Sequence, residues 1–347
     1  MRRLLVDGGV RSVRRRLRSL LLDPSEKFDW VILGDEDIVL EVAEFTDKPW
    51  AANCFPVPPM GVAQSMMCHK TEFISACRTH GIAVPESRVC GDAKAALTAA
   101  DELGFPLLMK ADFGASGSTV WRLQSTSDLL ETMPRAAGRP FVLQAIVRGA
   151  AGVTEMLCAR GTPLAIVSSL MRGIDPEPFG PASSRLYRKN VAAEAVAVRL
   201  AKLTGFHGFC GFDWVQEESG ERRLHAIDFH ARPTLGFHMA AVAGVDFAAA
   251  AHHLVQGGTD AIASQLDGLE KLCHFFPKGM TLAWRKRDVL GMLRWLPGAS
   301  CNDLPWTDPG LVAGLARRYW RTRFSARKMT GSAESTLQES TAFRDDL

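Results

Sequence analysis

Apolar positions recur at helical spacing from Val10 to Leu22. Val10, Val13, Leu17, Leu20 and Leu21 line one face, while Arg11, Arg14, Arg15, Arg16 and Arg18 occupy the others. Spacings of three and four residues turn one stripe toward a core, so the stretch reads as a helix with a solvated basic face. Basic amphipathic helices also lie on anionic membranes, which leaves a second reading open. Trp30-Val31-Ile32-Leu33 reads as a short buried strand, Gly34-Asp35-Glu36-Asp37 as a turn, and Ile38 to Phe45 as a helix, together a βα unit. Pro56 to Pro59 marks a linker. A helix is expected from Gln64 to His80, closed by Gly81, and another from Asp92 to Leu103, closed by Gly104. Pro106 to Lys110 is an apolar strand ending in lysine. It runs into the glycine-rich stretch Asp112 to Thr119 and then a strand, Val120 to Leu123, which predicts a hairpin. Phe141 to Gln144 is a further strand, Glu155 to Cys158 pairs with Leu164 to Val167 across Gly161, and Ala192 to Thr204 is a helix stopped by Gly205. Residues 274–323 read as an appendage with helical stretches, and the polar tail from about Met329 has little to bury.

The most informative pattern is a pair of alternating stretches, Gly211 to Val215 and Leu224 to His230, around Ser219-Gly220-Glu221-Arg222. Glycine at the first central position suits a two-residue turn. That register sets Asp213 opposite Asp228. Side chains alternate between faces along a strand, so His230 and Arg232 join Asp228 on one face, and Phe212, Trp214, Ile227 and Phe229 form an apolar face opposite. Two opposed carboxylates repel unless a cation lies between them. Oxygen ligands suit Mg²⁺, which takes one or two carboxylates plus phosphate oxygens, whereas an imidazole suits Mn²⁺ better. A solvated face balanced by Arg222 and Arg232 is the alternative.

Composition narrows the classes. The chain has 347 residues, 47% of them hydrophobic, enough for two or three lobes at about 100–200 residues each. A net charge of +3 gives no bulk argument for nucleic acid. No apolar run approaches the roughly 18 residues of a membrane span, and the Arg-rich N-terminus has no continuous apolar stretch of the secretory kind. Eight scattered cysteines with no Cys-x-x-Cys pair read as reduced thiols of a cytoplasmic protein.

Over about residues 61–250 the order of motifs resembles the ATP-grasp superfamily, near its carbamoyl-phosphate-synthetase-like and carboxylate–amine ligase members. His69-Lys70-Thr71 with Gly81 to Pro85, Gly104 to Lys110 with Gly114-Ala115-Ser116-Gly117, Gln144 to Gly149, Phe212-Asp213-Trp214 with Asp228 to Pro233, and Ala243 to Asp246 stand in that family's order. The resemblance implies an α+β fold of two lobes gripping ATP, preceded by a short Rossmann-like βα segment. The expected division is 1–60 for that segment, 61–260 for the ATP-grasp core, 261–328 for a helical appendage and 329–347 for a disordered tail. By the same resemblance Lys70 and Lys110 contact ATP phosphates, Gly114, Ser116 and Gly117 belong to a flap over them, and the backbone of Gln144, Ala145, Ile146 and Val147 reads adenine. Asp213, Asp228 and His230 hold Mg²⁺ (or Mn²⁺), and Arg232 with Lys110 serves the transfer step. The sequence departs from the family at Asp228 and His230, where glutamate and asparagine are usual, and at Gln144 and Ala145, where the hinge acids are missing; Glu155 is a candidate replacement for the ribose acid. Of Arg172, Arg185 and Arg188, around the Gly180-Pro181 loop, one is expected to serve substrate.

The implied reaction is phosphorylation of a small-molecule carboxylate to an acyl phosphate, followed by attack of an amine, in a cytoplasmic enzyme with homodimerisation left open. Two alternatives stand beside it: an enzyme activating bicarbonate, and a non-catalytic ATP-binding regulator, which the His230 and hinge departures favour.

Overall fold

A computed structural model describes residues 9–317 except 113, 115, 116, 175–178, 297 and 316. The chain divides into two compact units, Met1–Leu272 and Cys273–Leu347. The predicted polar tail and Ser116 lie outside the described residues.

The first unit holds two antiparallel sheets. The smaller has the order β1-β4-β2-β3, from β1 (Ser87–Cys90), β2 (Leu107–Ala111), β3 (Val120–Leu123) and β4 (Phe141–Ala145). Within this unit the larger runs β7-β6-β5-β8-β9, from β5 (Gly149–Ala159), β6 (Thr162–Ile174), β7 (Ala182–Arg188), β8 (Gly208–Glu217) and β9 (Leu224–His230). A short strand, β10 (Ala263–Ser264), adds in parallel to β6. Glu155 to Leu157 face Val167 to Ala165 as the alternation requires. Each sheet has its own core. Leu107, Met109, Leu123, Leu129 and Leu143 are fully buried with the small-residue face of a helix at Ala93–Leu103. Phe206, Phe212, Trp214 and Phe229 anchor the other with Ala193, Ala197 and Leu200 from a helix at Val191–Thr204. Fully burying an aromatic or leucine side chain contributes about 1.5–3 kcal/mol, and Val142 of β4 is shared with the larger core, so the two cores are joined through the smaller sheet.

Three expectations are corrected. The helix expected over Gln64–His80 is two, Val62–Cys68 and Lys70–Thr79, separated by His69 in extended conformation (φ −131°, ψ 122°). The reason is a side chain from elsewhere: Asp112 Oδ1 accepts from Thr71 N and Thr71 Oγ1 at 2.9 and 2.8 Å, while Oδ2 meets His69 Nδ1 at 2.7 Å. A carboxylate satisfying first-turn N–H groups starts a helix, so Lys70 begins one instead of lying mid-helix. Secondly, Trp30 to Leu33 forms no regular secondary structure and belongs to no sheet; Trp30 instead stacks on Phe209 at 5.5 Å. The helix after it, Glu36–Ala43, forms with Asp35 as its N-cap. Thirdly, the β8–β9 hairpin is not uniform. Arg222 N–H closes the turn on Ser219 O at 3.4 Å, but Arg222 is left-handed (φ 51°) and shifts the register by one. A bulge at Ile227 shifts it back, so Trp214 faces Ala226 while Asp213 still faces Asp228. Ala226, not Ile227, therefore fills the apolar face.

The N-terminal helix spans Val10–Leu21. Leu17 and Leu21 pack on the larger core. Its basic face is not wholly solvated, because Arg14 pairs with Glu41 at 3.0 Å and lies 4.2 Å over the Phe45 ring.

In the second unit, Cys273 and His274 pair in parallel with Cys301 and Asn302. Helices at Lys278–Arg285 and Val289–Leu293 follow in this unit, and Trp295 is buried near His274 and Phe276.

Candidate functional site

Lys110, the last residue but one of β2, has its side chain almost wholly enclosed, 7% exposed. Its ammonium donates to the carbonyl of Ile227, the bulge residue of β9, at 3.4 Å. Burial, opposed by Asp228 and reinforced by Lys70, lowers its pKa to about 8. Lys70 donates to Gly114 O at 2.9 Å and lies 3.6 Å from Asp228 Oδ2. Burial disfavours its charge, but Asp228 and Glu36 outweigh that and raise its pKa. Asp228 is held ionised against its own burial by Lys70, His230 and Lys110. Two lysines from separate elements thus converge on one carboxylate, where an anion of higher charge could replace it.

Asp213 faces Asp228 across the ladder, and His230 Nε2 lies 3.0 Å from Asp213 Oδ1. Burial opposes the imidazolium, yet Asp213, Asp228 and Glu36 raise the His230 pKa to about 9. No group of three or more His, Cys, Asp or Glu among the described residues is arranged around a metal ion. The expected set of Asp213, Asp228 and His230 is therefore not gathered on one centre: His230 stands as a cation on Asp213. A protonated imidazole is not a ligand, whereas two opposed carboxylates fit Mg²⁺ completed by phosphate oxygens.

Arg232 Nη2 meets Glu36 Oε2 at 3.3 Å, and its Nη1 donates to Pro233 O. Glu36 belongs to the first turn of the helix after Asp35; burial, then Asp228, raises its pKa. Sequence reasoning missed it because nothing in the Gly-Asp-Glu-Asp turn signals that this segment folds over β9. Asp112 was also missed, although its place two residues after Lys110 was a usable clue.

The glycine hairpin lies where expected. Gly114 (φ 99°) brings its carbonyl to Lys70, and a side chain at Gly117 (φ 73°) would strike Phe179 O at 2.0 Å. Within the hinge, the Gln144 side chain is buried on Ser87 Oγ and Ala145 N–H donates to Glu86 O at 2.8 Å. Ile146 and Val147 form the crossover from the smaller sheet to the larger. Among the three arginines, Arg172 and Arg188 are exposed, whereas Arg185 is buried on Glu155 at 2.9 Å. Thr234 also donates to Glu155. Glu155 is thus a partner of Arg185 here. The space among Glu36, Lys70, Asp112, Gly114 and Asp228 is about 10 Å³, room for about one water.

No protein-family model and no curated protein sequence matches the chain. Solved structures do. The biotin carboxylase domain of Hydrogenobacter thermophilus 2-oxoglutarate carboxylase, in complex with MgADP, ADP and bicarbonate, is similar with a TM-score of 0.62 at 14% identity, over 78% of this chain and 63% of that one. Biotin carboxylase from Campylobacter jejuni gives 0.58 at 15%, over 76% and 61%. N5-carboxyaminoimidazole synthetase from Staphylococcus aureus, complexed with ADP, gives 0.55 at 14%, over 76% and 68%. The chain therefore spans about three fifths of the length of the biotin carboxylase chains it resembles. It has the α+β ATP-grasp fold.

Proposed function

We propose that the protein is an ATP-dependent ligase that phosphorylates a carboxylate to an acyl phosphate and joins it to an amine, releasing ADP and phosphate. The observation that carries the reading is the convergence of Lys70 and Lys110 on the opposed Asp213/Asp228 pair, with the Gly114 carbonyl accepting from Lys70. Each acid at the site already has a cation: Asp228 has Lys70, Asp213 has His230, and Glu36 has Arg232. Binding of MgATP would exchange these partners. Mg²⁺, held by Asp213 and Asp228, would neutralise phosphate charge, while Lys70 and Lys110 turn to phosphate oxygens and Arg232 to the transferring group. Phosphoryl transfer asks mainly for positioning and charge neutralisation, and this cluster has the groups for both. A hairpin closed over the site would keep water from an acyl phosphate.

Two further readings have their own support. The biotin carboxylase neighbour carries bicarbonate beside MgADP, so bicarbonate is a candidate carboxylate. The His230–Asp213 pair and the buried Gln144 side chain favour a nucleotide-binding regulator without turnover. Phosphate release from MgATP, with a panel of carboxylates and amines and with bicarbonate alone, separates them. Release that needs a carboxylate and an amine is the expected result. Release with bicarbonate alone would move the assignment to the second reading, and tight MgATP binding without release under any pair would move it to the third.

A further inference from the structure

Past the far end of the same hairpin lies a larger cavity of about 350 Å³, within the range of small-molecule sites. Its wall joins Glu26 and residues 28–33 of an irregular segment, Trp50 with residues 53–56, and Phe206 to Phe209 at the start of β8. Ala231 and Pro233, which flank Arg232 in the chain, complete it, and it shares no residue with the charged cluster.

Its chemistry is the opposite of the cluster's. Trp30 lies flat on Phe209 with ring centroids 5.5 Å apart and 24° between planes, and edge-on to His207 at 6.4 Å. A side chain at Gly208 would come within 3.2 Å of the Trp30 ring, so the glycine lets the indole lie over the strand. Trp50, Phe55 and Phe206 are buried in the wall. The charged residues lining the cavity are acids, Glu26 and Asp29, and no lysine or arginine lines it. Aromatic faces attract cations, and acids repel phosphates.

We propose that this cavity binds a primary amine carried on an aromatic body, held as its ammonium; in the ligase reading this amine is the nucleophile, which gives its extra proton to solvent at the exposed Asp29 before it displaces phosphate from the acyl group. The indole of Trp30 stacks on the ligand's ring and Asp29 draws the ammonium. His207 lies in the same wall, and burial, then Arg160, lowers its pKa, which disfavours a competing cation there. The substrate class rests on the ligase reading; the amine site itself does not.

The test is calorimetric titration with tryptamine, its neutral analogue tryptophol and its anionic analogue indole-3-acetate, on the full chain. Tryptamine should bind saturably, tryptophol at least fivefold more weakly, and indole-3-acetate more weakly still. Trp30→Ala should weaken tryptamine about tenfold. Asp29→Asn, at an exposed position with no core to disturb, should bring tryptamine and tryptophol to within twofold of each other. Absence of saturable tryptamine binding, a preference for indole-3-acetate, or affinities unchanged in both variants would overturn the proposal. MgADP titrated into the same samples keeps the two readings apart. Nucleotide binding without tryptamine binding removes the amine site alone. Tryptamine binding that depends on Trp30 and Asp29, without nucleotide binding, supports the amine site and removes the ligase reading.

Discussion

Two sets of acid–cation pairs lie on the larger sheet and differ in what surrounds them. Around β8 and β9, Asp213–His230, Asp228–Lys70 and Glu36–Arg232 have side chains between 12% and 31% exposed and separations of 3.0 to 3.6 Å. Glu155–Arg185 links β5 to β7, which are not adjacent in the sheet, at 2.9 Å with exposures of 0% and 10%. Thr234 adds a second donor to Glu155, and Gly236 leaves the space that Arg185 fills, since a side chain there would lie 2.0 Å from its guanidinium. The first set can exchange partners, because each member has solvent or a neighbouring charge to turn to. The second cannot, because either ion left alone would be stranded away from water. One set is built to be displaced by a ligand and the other to hold the strands beneath it.

Breaking the rigid pair should produce the largest effect. Glu155→Ala leaves Arg185 buried without its carboxylate, and such losses run to about 3–5 kcal/mol. Urea unfolding of the variant should show it, and a change below about 1 kcal/mol would mean the pair is as exchangeable as the others. Asp228→Asn comes next and should act in the opposite sense. Folding stability should stay within about 1 kcal/mol, since the group is part-exposed. Phosphate release should fall on the order of a hundredfold or more, the scale of losing one charged group that acts on the transferring phosphate. Unimpaired release would remove this carboxylate from the metal assignment.

A third, smaller effect concerns Lys110. Lys110→Ala should weaken MgATP binding by about 1.4 kcal/mol or more, a tenfold loss; equal affinity would exclude the lysine from the site. Its lowered pKa adds a pH dependence of definite sign. Free Lys110 loses its proton near pH 8, whereas a phosphate beside it favours the charged form. Binding therefore takes up a proton above pH 8, and affinity falls as pH rises, by up to about tenfold per unit. In Lys110→Ala this portion of the fall should disappear; an unaltered profile would exclude Lys110 as its source, and His230 cannot supply it, because its loss of a proton near pH 9 frees Asp213 for the metal and acts in the opposite direction.

How much of this was legible in the sequence follows from how local each determinant is. The Asp213/Asp228 pairing could be read from strand alternation, and it survives because the register slip at Arg222 and the bulge at Ile227 cancel. The glycine hairpin and Lys110 were legible for the same reason: a strand, a turn and a strand lie adjacent in the chain. The break at His69 was not, since its cause is Asp112, more than forty residues later. Nor was the fate of Trp30 to Leu33. Its apolar run predicts burial correctly in part, Leu33 being 6% exposed, but periodicity does not distinguish pairing in a sheet from covering one. Glu36 entered the site through that same long-range packing, which no spacing encodes.

The smallest expected effect tests the exchange itself. His230 is a cation on Asp213 with a pKa raised to about 9, so near neutral pH it competes with any metal for that carboxylate. Asparagine at this position, as in the family the sequence resembles, would remove the competing charge and keep a polar side chain. His230→Asn should therefore leave phosphate release with Mg²⁺ within about threefold of the parent and lower the Mg²⁺ concentration needed for half-saturation. The parent should need less Mg²⁺ as pH rises toward 9, because metal and proton compete for the same set of groups, and the variant should show a flatter dependence. Mn²⁺ supplies the control. If His230 turns from Asp213 to ligate the metal as a neutral ring, the parent should prefer Mn²⁺ and the variant should lose that preference while Mg²⁺ activity holds. If release collapses with both metals, neither account survives: His230 would then act on the reacting groups themselves, as a base toward the amine, and the pair it makes with Asp213 would be the means of orienting it.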